Sequence, residues 1–583
     1  MNKLDNNTII GLILIGIIMM WIGFNSTSTE TAGEPVVSTT EAAESSDDVS
    51  LSKAEEITTT PDGAVLAQSA AEEFYELENA VMTISISNKG GAIHRAELKK
   101  FKTWQQKPVR LIDDNFDWNI LIGKVVAIPT GRLFFTLKDK SDRHITLTSV
   151  VEDKAINITY TLEPESYQVG ITVESPLLSS GGYLDMKLRA FRLEKNRDFE
   201  SNRTSVYYHL ANGKLKNLSE TRSDSKSAEQ LDWIAFRHQF FSLILSSDND
   251  FNNAQMTIEP LEEEDYTKMM AMRAELPASS APVRLSLYMG PNKFNILKSY
   301  QNDYEKLIPL GWAIFGWINR GVVIPIFNWL ESYNLNYGII ILVMAVLIKI
   351  VIFPFTYGSY RSMAKMRILK PEMDEINEKY KDEKDQLKKQ QALMELYRKS
   401  GVNPLGGCIP LLFQMPILFA VFQFFPASFE LRGQSFLWAE DLSTYDSILE
   451  LPFRIPGYGA HVSLFTLLMT ISTIIYTWMN QQLTPQNNQL PQLKYMLYLM
   501  PVIFLGVFNN YAAGLTYYYF ISNIITFGQQ YAIKAFIDED KLHAKIKENQ
   551  ARETKPSRFM KTFEQVAKEQ QVKGNRTMRR KKI

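Results

Sequence analysis

The sequence predicts a membrane α-helical bundle, one N-terminal anchor plus five core transmembrane helices, with a large all-β sandwich domain on one side and a helical hairpin on the other. Three observations carry that prediction. Long apolar runs occupy residues 1–30 and 337–534 of the 583. From about 74 to 300 apolar and polar residues instead alternate with period two between Gly, Asn and Asp turns. The segments joining the apolar runs differ strongly in charge, although the whole chain has a formal charge of only -1.

Residues 1–25 contain the run "TIIGLILIGIIMMWIGF", longer than most signal-peptide cores and closed by the bulky Trp21 and Phe24, and it reads as an uncleaved anchor. Residues 26–73 are rich in Ser, Thr and acid with few large apolar side chains. Such a stretch cannot bury enough surface to offset its ordering entropy, so it reads as a flexible linker. Residues 74–302 form the sandwich, with "HITLTSVV", "AINITYTLE", "YQVGITVES" and "VRLSLYMG" among its strands. The six histidines are scattered and no metalloprotease, phosphate-loop or nucleophile-elbow spacing occurs, which points away from an enzyme, from a cofactor and from a bound metal. Cys408 is the single cysteine, so no intramolecular disulfide forms.

Residues 303–331 are interrupted by Asn319, Arg320 and Pro325 and carry Trp312, Trp317 and Trp329, which suits an amphipathic helix lying in the headgroup zone. Five spans follow, at 337–355, 408–426, 461–478, 495–508 and 514–533, the first falling in a segment that runs from 332 to 356 and the rest in 408–534. The loop 357–407 holds eleven Lys or Arg, whereas 427–460 holds two against five acids. The positive-inside rule therefore puts the first loop, the basic tail 535–583 and both termini in the cytoplasm, with the β-domain outside. Within the loop, Met366, Leu369, Met373, Ile376 and Tyr380 repeat at helical spacing. Leu387, Met394 and Tyr397 continue the seam on a second helix, beyond a polar turn that includes Asp382. Gln390 and Gln391 interrupt that seam, which makes the hairpin a mobile element.

Lys349 stands inside the run "GIIILVMAVLIKIVIFPFT", at a cost on the order of 3 kcal/mol near a helix centre. Snorkelling toward the cytoplasmic edge would relieve it. The later spans contain no Asp or Glu to pair with it, but they do offer Gln414, Thr516, Ser522, Asn523 and Gln529. A cation among neutral polar groups persists where water reaches it, so the alternative is a wet, positively charged cavity open to the cytoplasm.

The stretches "SMAKMRILKPEM", "NPLGGCIPLLFQMPILFAVF", "LMPVIF" and "YYFISNIIT" resemble, in order and spacing, those of the bacterial YidC membrane protein insertase family, from residue 337 to about 535. The single anchor and large outer domain resemble the Gram-negative branch, which implies the inner membrane and a periplasmic β-domain. That resemblance implies a membrane protein insertase and chaperone working through a positively charged hydrophilic groove, with Lys349 where the family carries an arginine. It implies Gln414, Met415, Pro416, Tyr518, Tyr519, Ser522 and Asn523 as substrate-contacting residues. Tyr360, Lys365, Arg367 and Asp382 would belong to the cytoplasmic hairpin. The implied partners are nascent membrane proteins, the Sec translocon with its accessory subunits, the lipid bilayer, and the ribosome, met by Arg576, Arg579, Arg580, Lys581 and Lys582 in the tail. No small-molecule substrate is implied. The rival readings are a secondary transporter and a membrane-tethered, carbohydrate-active β-domain. Neither an inverted repeat nor paired broken spans support the first.

Overall fold

The computed structural model describes residues 71–123, 128–380, 386–403, 409–483 and 491–551. The anchor, most of the linker, Asp382 and the five basic tail residues lie outside them. The described chain divides into two units, one of residues 1–312 with 427–433 and one of 313–426 with 434–583.

The first unit is built from two antiparallel sheets, in line with the sandwich that alternation predicts. Four strands, Phe74–Glu78, Met82–Ser87, Ile93–Lys102 and Pro108–Asp113, pair in chain order. The larger sheet has thirteen strands. His144–Val151 turns into Lys154–Leu162 through Glu152 and Asp153, both at positive φ, which is the mirror-image turn whose twist suits a hairpin. Gln168–Glu174 then pairs between Lys154–Leu162 and Val283–Pro291. In these strands every second side chain is buried, among them Ile158, Tyr160, Val169, Ile171 and Leu285. Sequence periodicity fails at 427–433. This stretch sits between two helices in the chain yet belongs to the β-unit, where Phe429 meets the rings of Phe101 and Phe241 edge-on at 5.2 and 5.5 Å.

The second unit is helical. The expected helix over 303–331 starts only at Ala313, because Gly311 and Ala313 adopt positive φ and break the chain's course. Tyr304–Leu307 is a short 3₁₀ turn with both end residues buried in the β-unit. Helix α1, Ala313–Glu331, contains a π-turn over Asn319–Val323 ahead of Pro325, whose missing N–H leaves no ordinary partner for the carbonyl four residues back. Helix α2, Tyr337–Ile368, runs unbroken through 32 residues, so the span and the start of the loop are one rod. Many of its buried residues, among them Ile341, Ala345, Ile348, Ile352, Thr356, Tyr360, Met363 and Met366, step by three or four along one face, and Lys349 stands next to Ile348, buried as well. At its N-terminal end Gly338 lies against the Phe436 ring, where an added Cβ would fall 2.1 Å from a ring carbon.

Helices α3, Lys370–Lys379, and α4, Gln386–Lys399, make the expected hairpin. The second seam differs in detail. Leu393 is buried and packed with Leu396 and Tyr397, Met394 is only half-buried, and the side chain of the expected Leu387 lies outside the described residues. A shift of one position follows from the hairpin's third partner, a helix not foreseen in the tail. Helices α5, Ile409–Ala427, α6, Leu464–Leu483, α7, Pro491–Phe508, and α8, Ala513–Phe536, match the remaining expected spans within a few residues. Helix α9, Glu539–Ala551, then packs Ile546 into the cluster of Met366, Leu369, Met373 and Leu393. By length and composition α1 and α2 are each sufficient to cross a membrane, and Phe413–Ala427 and Met496–Phe508 are shorter apolar segments.

Candidate functional site

The inward face of α2 brings Lys349 against α5 and α8. Ile348, Lys349 and Ile352 from α2, Gln414, Ile417 and Leu418 from α5, and Tyr518 and Ser522 from α8 line one tightly closed recess. Each contribution follows from helical spacing, since residues three and four apart share a face. Lys349 is 6% exposed. Its position on the buried stripe, rather than on the outer face with the exposed Ile350 and Val351, sets it inside the bundle. The stem therefore does not lie along the helix's outer surface as snorkelling requires. The walls close on one another and leave no room for a water molecule at the centre, so this conformation is narrower than the wet cavity expected from the sequence.

No carboxylate is available from α2, α5, α6, α7 or α8, whose sequences contain no Asp or Glu. The polar surface facing the recess comes from Gln414, Tyr518 and Ser522. Gln529, two helical turns along α8 from Ser522, donates through Nε2 to the Lys349 carbonyl at 3.2 Å and ties α8 to α2 at this level. An ammonium in such a setting is desolvated, with no ion pair among the described residues.

The other candidate residues are placed as follows. Met415 and Pro416 are half-buried on α5, next to Gln414 but outside the recess lining. Tyr519 donates from its hydroxyl to the Leu418 carbonyl at 3.4 Å and sets its ring 5.8 Å from that of Tyr518. Asn523 is turned to α6, where its Nδ2 donates to Ser472 Oγ and Thr473 Oγ1, each at 3.0 Å. Tyr360 is buried with Met363 and Ile533, one layer below the recess on the same α2 stripe. Arg367 pairs with Glu539 at the start of α9. Lys365 has its pKa lowered by partial burial and then by the charges of Arg361 and Lys545. Gln550 of α9 donates to the Glu372 carboxylate and to Ser400 Oγ, both at 3.0 Å, so α9 straps the hairpin at both of its helices.

Sequence reasoning found the polar members of the recess. It missed the aliphatic walls Ile348, Ile352, Ile417 and Leu418, although the three–four stepping from Ala345 to Met366 carries the signal for α2.

Two family models match the chain, "60Kd inner membrane protein" over residues 329–541 and "YidC periplasmic domain" over 75–324. A protein of Parabacteroides distasonis named membrane protein insertase YidC is 41% identical over 534 residues, covering 87% of this chain and 84% of its own. The chain belongs to the YidC family of membrane protein insertases. A YidC of Bacteroides fragilis is 36% identical over 98% of this chain and 100% of its own. A solved structure titled "Active YidC insertase crystal structure with the first transmembrane domain resolved" is 18% identical, covers 79% of this chain and 92% of its own, and superposes with a TM-score of 0.31. The two YidC models describe an inner-membrane protein with a periplasmic domain. The YidC relatives are named for insertion and not for a chemical reaction, in agreement with reading the chain as a non-enzyme.

Proposed function

We propose that this chain inserts, folds and helps assemble nascent integral membrane proteins through the Lys349 recess, which acts as a groove opening to the cytoplasm and to lipid. The observation that carries this reading is a buried cation lined by Gln414, Tyr518 and Ser522, with no carboxylate on the surrounding helices. A short hydrophilic flank of a client, acidic ones above all, replaces the missing counter-charge while it crosses. Its apolar segment then leaves into the bilayer, gaining on the order of 0.3–0.6 kcal/mol for each central Leu or Ile. The groove's task is to lower the barrier for the polar flank, and no cofactor takes part. Met415, Pro416, Tyr519 and Asn523 extend the client-facing surface from the lining residues.

In this reading both termini are cytoplasmic, the β-unit is periplasmic and α1 lies along the outer leaflet. The aromatic Trp312, Trp317 and Trp329, all exposed, favour that placement of α1. The basic tail, with Arg576, Arg579, Arg580, Lys581 and Lys582, meets ribosomal phosphates, a reading that its clustered positive charge supports. The Sec translocon and its accessory subunits are partners for clients with large translocated domains.

The test uses proteoliposomes of the intact protein and clients that differ only in the charge of the translocated flank. Lys349→Arg keeps activity. Lys349→Ala loses activity on acidic flanks by roughly tenfold, the effect of about 1.4 kcal/mol, and much less on neutral ones. Equal activity of Lys349→Ala on both clients would sink the groove-charge reading.

A further inference from the structure

Between α5 and α6 the chain forms an antiparallel ribbon, Leu449–Ile455 paired with Gly459–Val462, that the proposed function does not use. Its base is held firmly. Asn509, just past the end of α7, donates through Nδ2 to the carbonyls of Tyr458 and His461 at 3.0 and 2.8 Å, and its Oδ1 accepts from the Ser463 N–H at 3.0 Å. The buried Asp446 carboxylate accepts from the N–H groups of Leu464 and Phe465 at 2.9 and 3.0 Å, capping the start of α6. A Cβ on Gly506 would fall 2.8 Å from the Gly457 carbonyl oxygen. The ribbon's turn therefore lies alongside the last turn of α7 and does not project beyond the helix end.

The first strand reads Leu449, Leu451, Phe453, Ile455 at alternate positions, with Glu450, Pro452 and Arg454 between. Leu449 is 57% exposed and Phe453 62%, and Ile455 and the preceding Ile448 are exposed as well. Ile503 and Phe504, within a turn of Gly506 on α7, are also exposed. Exposed apolar side chains thus occur both on the ribbon and on the stretch of α7 against which its turn lies.

We propose that this ribbon is an interfacial anchor, with Leu449, Phe453 and Ile455 entering the boundary between headgroups and acyl chains of the outer leaflet and fixing the depth of α6 and α7. The turn's place against this exposed stretch of α7 names lipid as the occupant. Charge names the mode of attachment: residues 434–460 hold Glu440, Asp441, Asp446 and Glu450 against Arg454 alone, so anionic headgroups are not the attraction and apolar partition is. The proposal rests on the orientation proposed above, with this loop outside.

Nitroxide labels on the full chain, with Cys408→Ser as background, test it. Phe453→Cys and Leu449→Cys probe the ribbon, Ile503→Cys probes α7, and Val150→Cys supplies a water-exposed reference in the β-unit. In phosphatidylcholine vesicles, and in vesicles with added phosphatidylglycerol, relaxation by oxygen should exceed relaxation by a water-soluble nickel chelate at 449 and 453. The ratio should fall between those at 503 and 150, and anionic lipid should not change it. A lipid signal at 503 with a watery one at 453 would overturn the anchor and leave the span reading standing. Shielding of 453 from both reagents would mean that protein covers the ribbon, and insertion only with anionic lipid would contradict apolar partition. A watery signal at 503 would remove the membrane placement of α7 and the anchor together.

Discussion

The β-unit and the helical unit treat apolar and charged side chains in opposite ways. In the β-unit the large apolar residues are inside and buried charges are matched. Arg432 pairs with Glu194 at 2.6 Å with both side chains buried, and Lys268 donates to the Thr204 carbonyl at 2.8 Å and to that of Glu220. In the helical unit Ile350, Val351, Ile471, Ile475, Val502 and Ile524 are exposed, while Lys349 is buried without a carboxylate on the helices that enclose it. The first unit is organised for water outside and the second for hydrocarbon outside. The contrast teaches that a buried cation has two meanings. Where it is paired it holds the fold together, and where the enclosing helices carry no acid, as around Lys349, it gives the fold no ion pair.

The largest expected effect sharpens that distinction by removing a buried cation from each unit. Arg432→Met takes the cation away from the buried Glu194 carboxylate, which lies near Glu200, a group that burial, and next the charge of Glu194, already push well above the carboxylate range. The β-unit should lose about 3–5 kcal/mol, read as lost hydrogen-exchange protection in the strands Gly182–Phe191 and Tyr266–Leu276 of the intact protein. Lys349→Met, which leaves no stranded acid, should keep or raise the protection of α2 while insertion falls. Equal destabilisation by the two changes would break the comparison.

Next in size is the outside of each unit. Val351 on α2 is 71% exposed and Val150 in the β-unit 66%. Val351→Arg should lower the thermal stability of the reconstituted helical unit by up to about 2.5–3.5 kcal/mol, the cost of an arginine at a helix centre being the upper bound at this depth. Val150→Arg should stay within about 0.5 kcal/mol. Similar small effects would mean that α2 does not face lipid at 351.

The smallest effect concerns His238, buried in the β-unit with neither ring nitrogen hydrogen-bonded among the described residues. Burial lowers its pKa to about 4 from the usual 6.5. The unfolded chain therefore binds the proton first, and stability is complete above pH 6.5 and is lost as pH falls from 6.5 toward 4. At pH 5 the penalty is about 2 kcal/mol. His238→Phe, which leaves no hydrogen bond unmade, should flatten urea-unfolding stability of the β-unit across that window. An unchanged slope would assign the acid sensitivity to other groups.

Much of this was legible in the residues. Period-two alternation placed the strands at 144–151, 154–162 and 283–291 to within a residue, because a half-buried strand must alternate. The single charge in a long apolar run singled out Lys349, since hydrocarbon makes any charge conspicuous. Other features depend on contacts between segments far apart in the chain. Nothing local announces that 427–433 belongs with the β-unit, that α9 would strap the hairpin, or that Asn523 turns to Ser472 and Thr473 while Ser522 beside it turns to the recess.

The sequence by itself determined the two solvents: which stretches must meet lipid, which must alternate toward water, and which buried charge would lack a partner. Those follow from composition and period, properties of neighbours in the chain. The tertiary structure alone decided which helix faces close the recess around Lys349 and how tightly. It also laid the turn of the Leu449–Ile455 ribbon against Gly506 of α7. The physical reason is that packing depends on the shapes of surfaces brought together from distant positions, and a one-residue rotation of a helix, invisible in its hydropathy, changes which side chains meet.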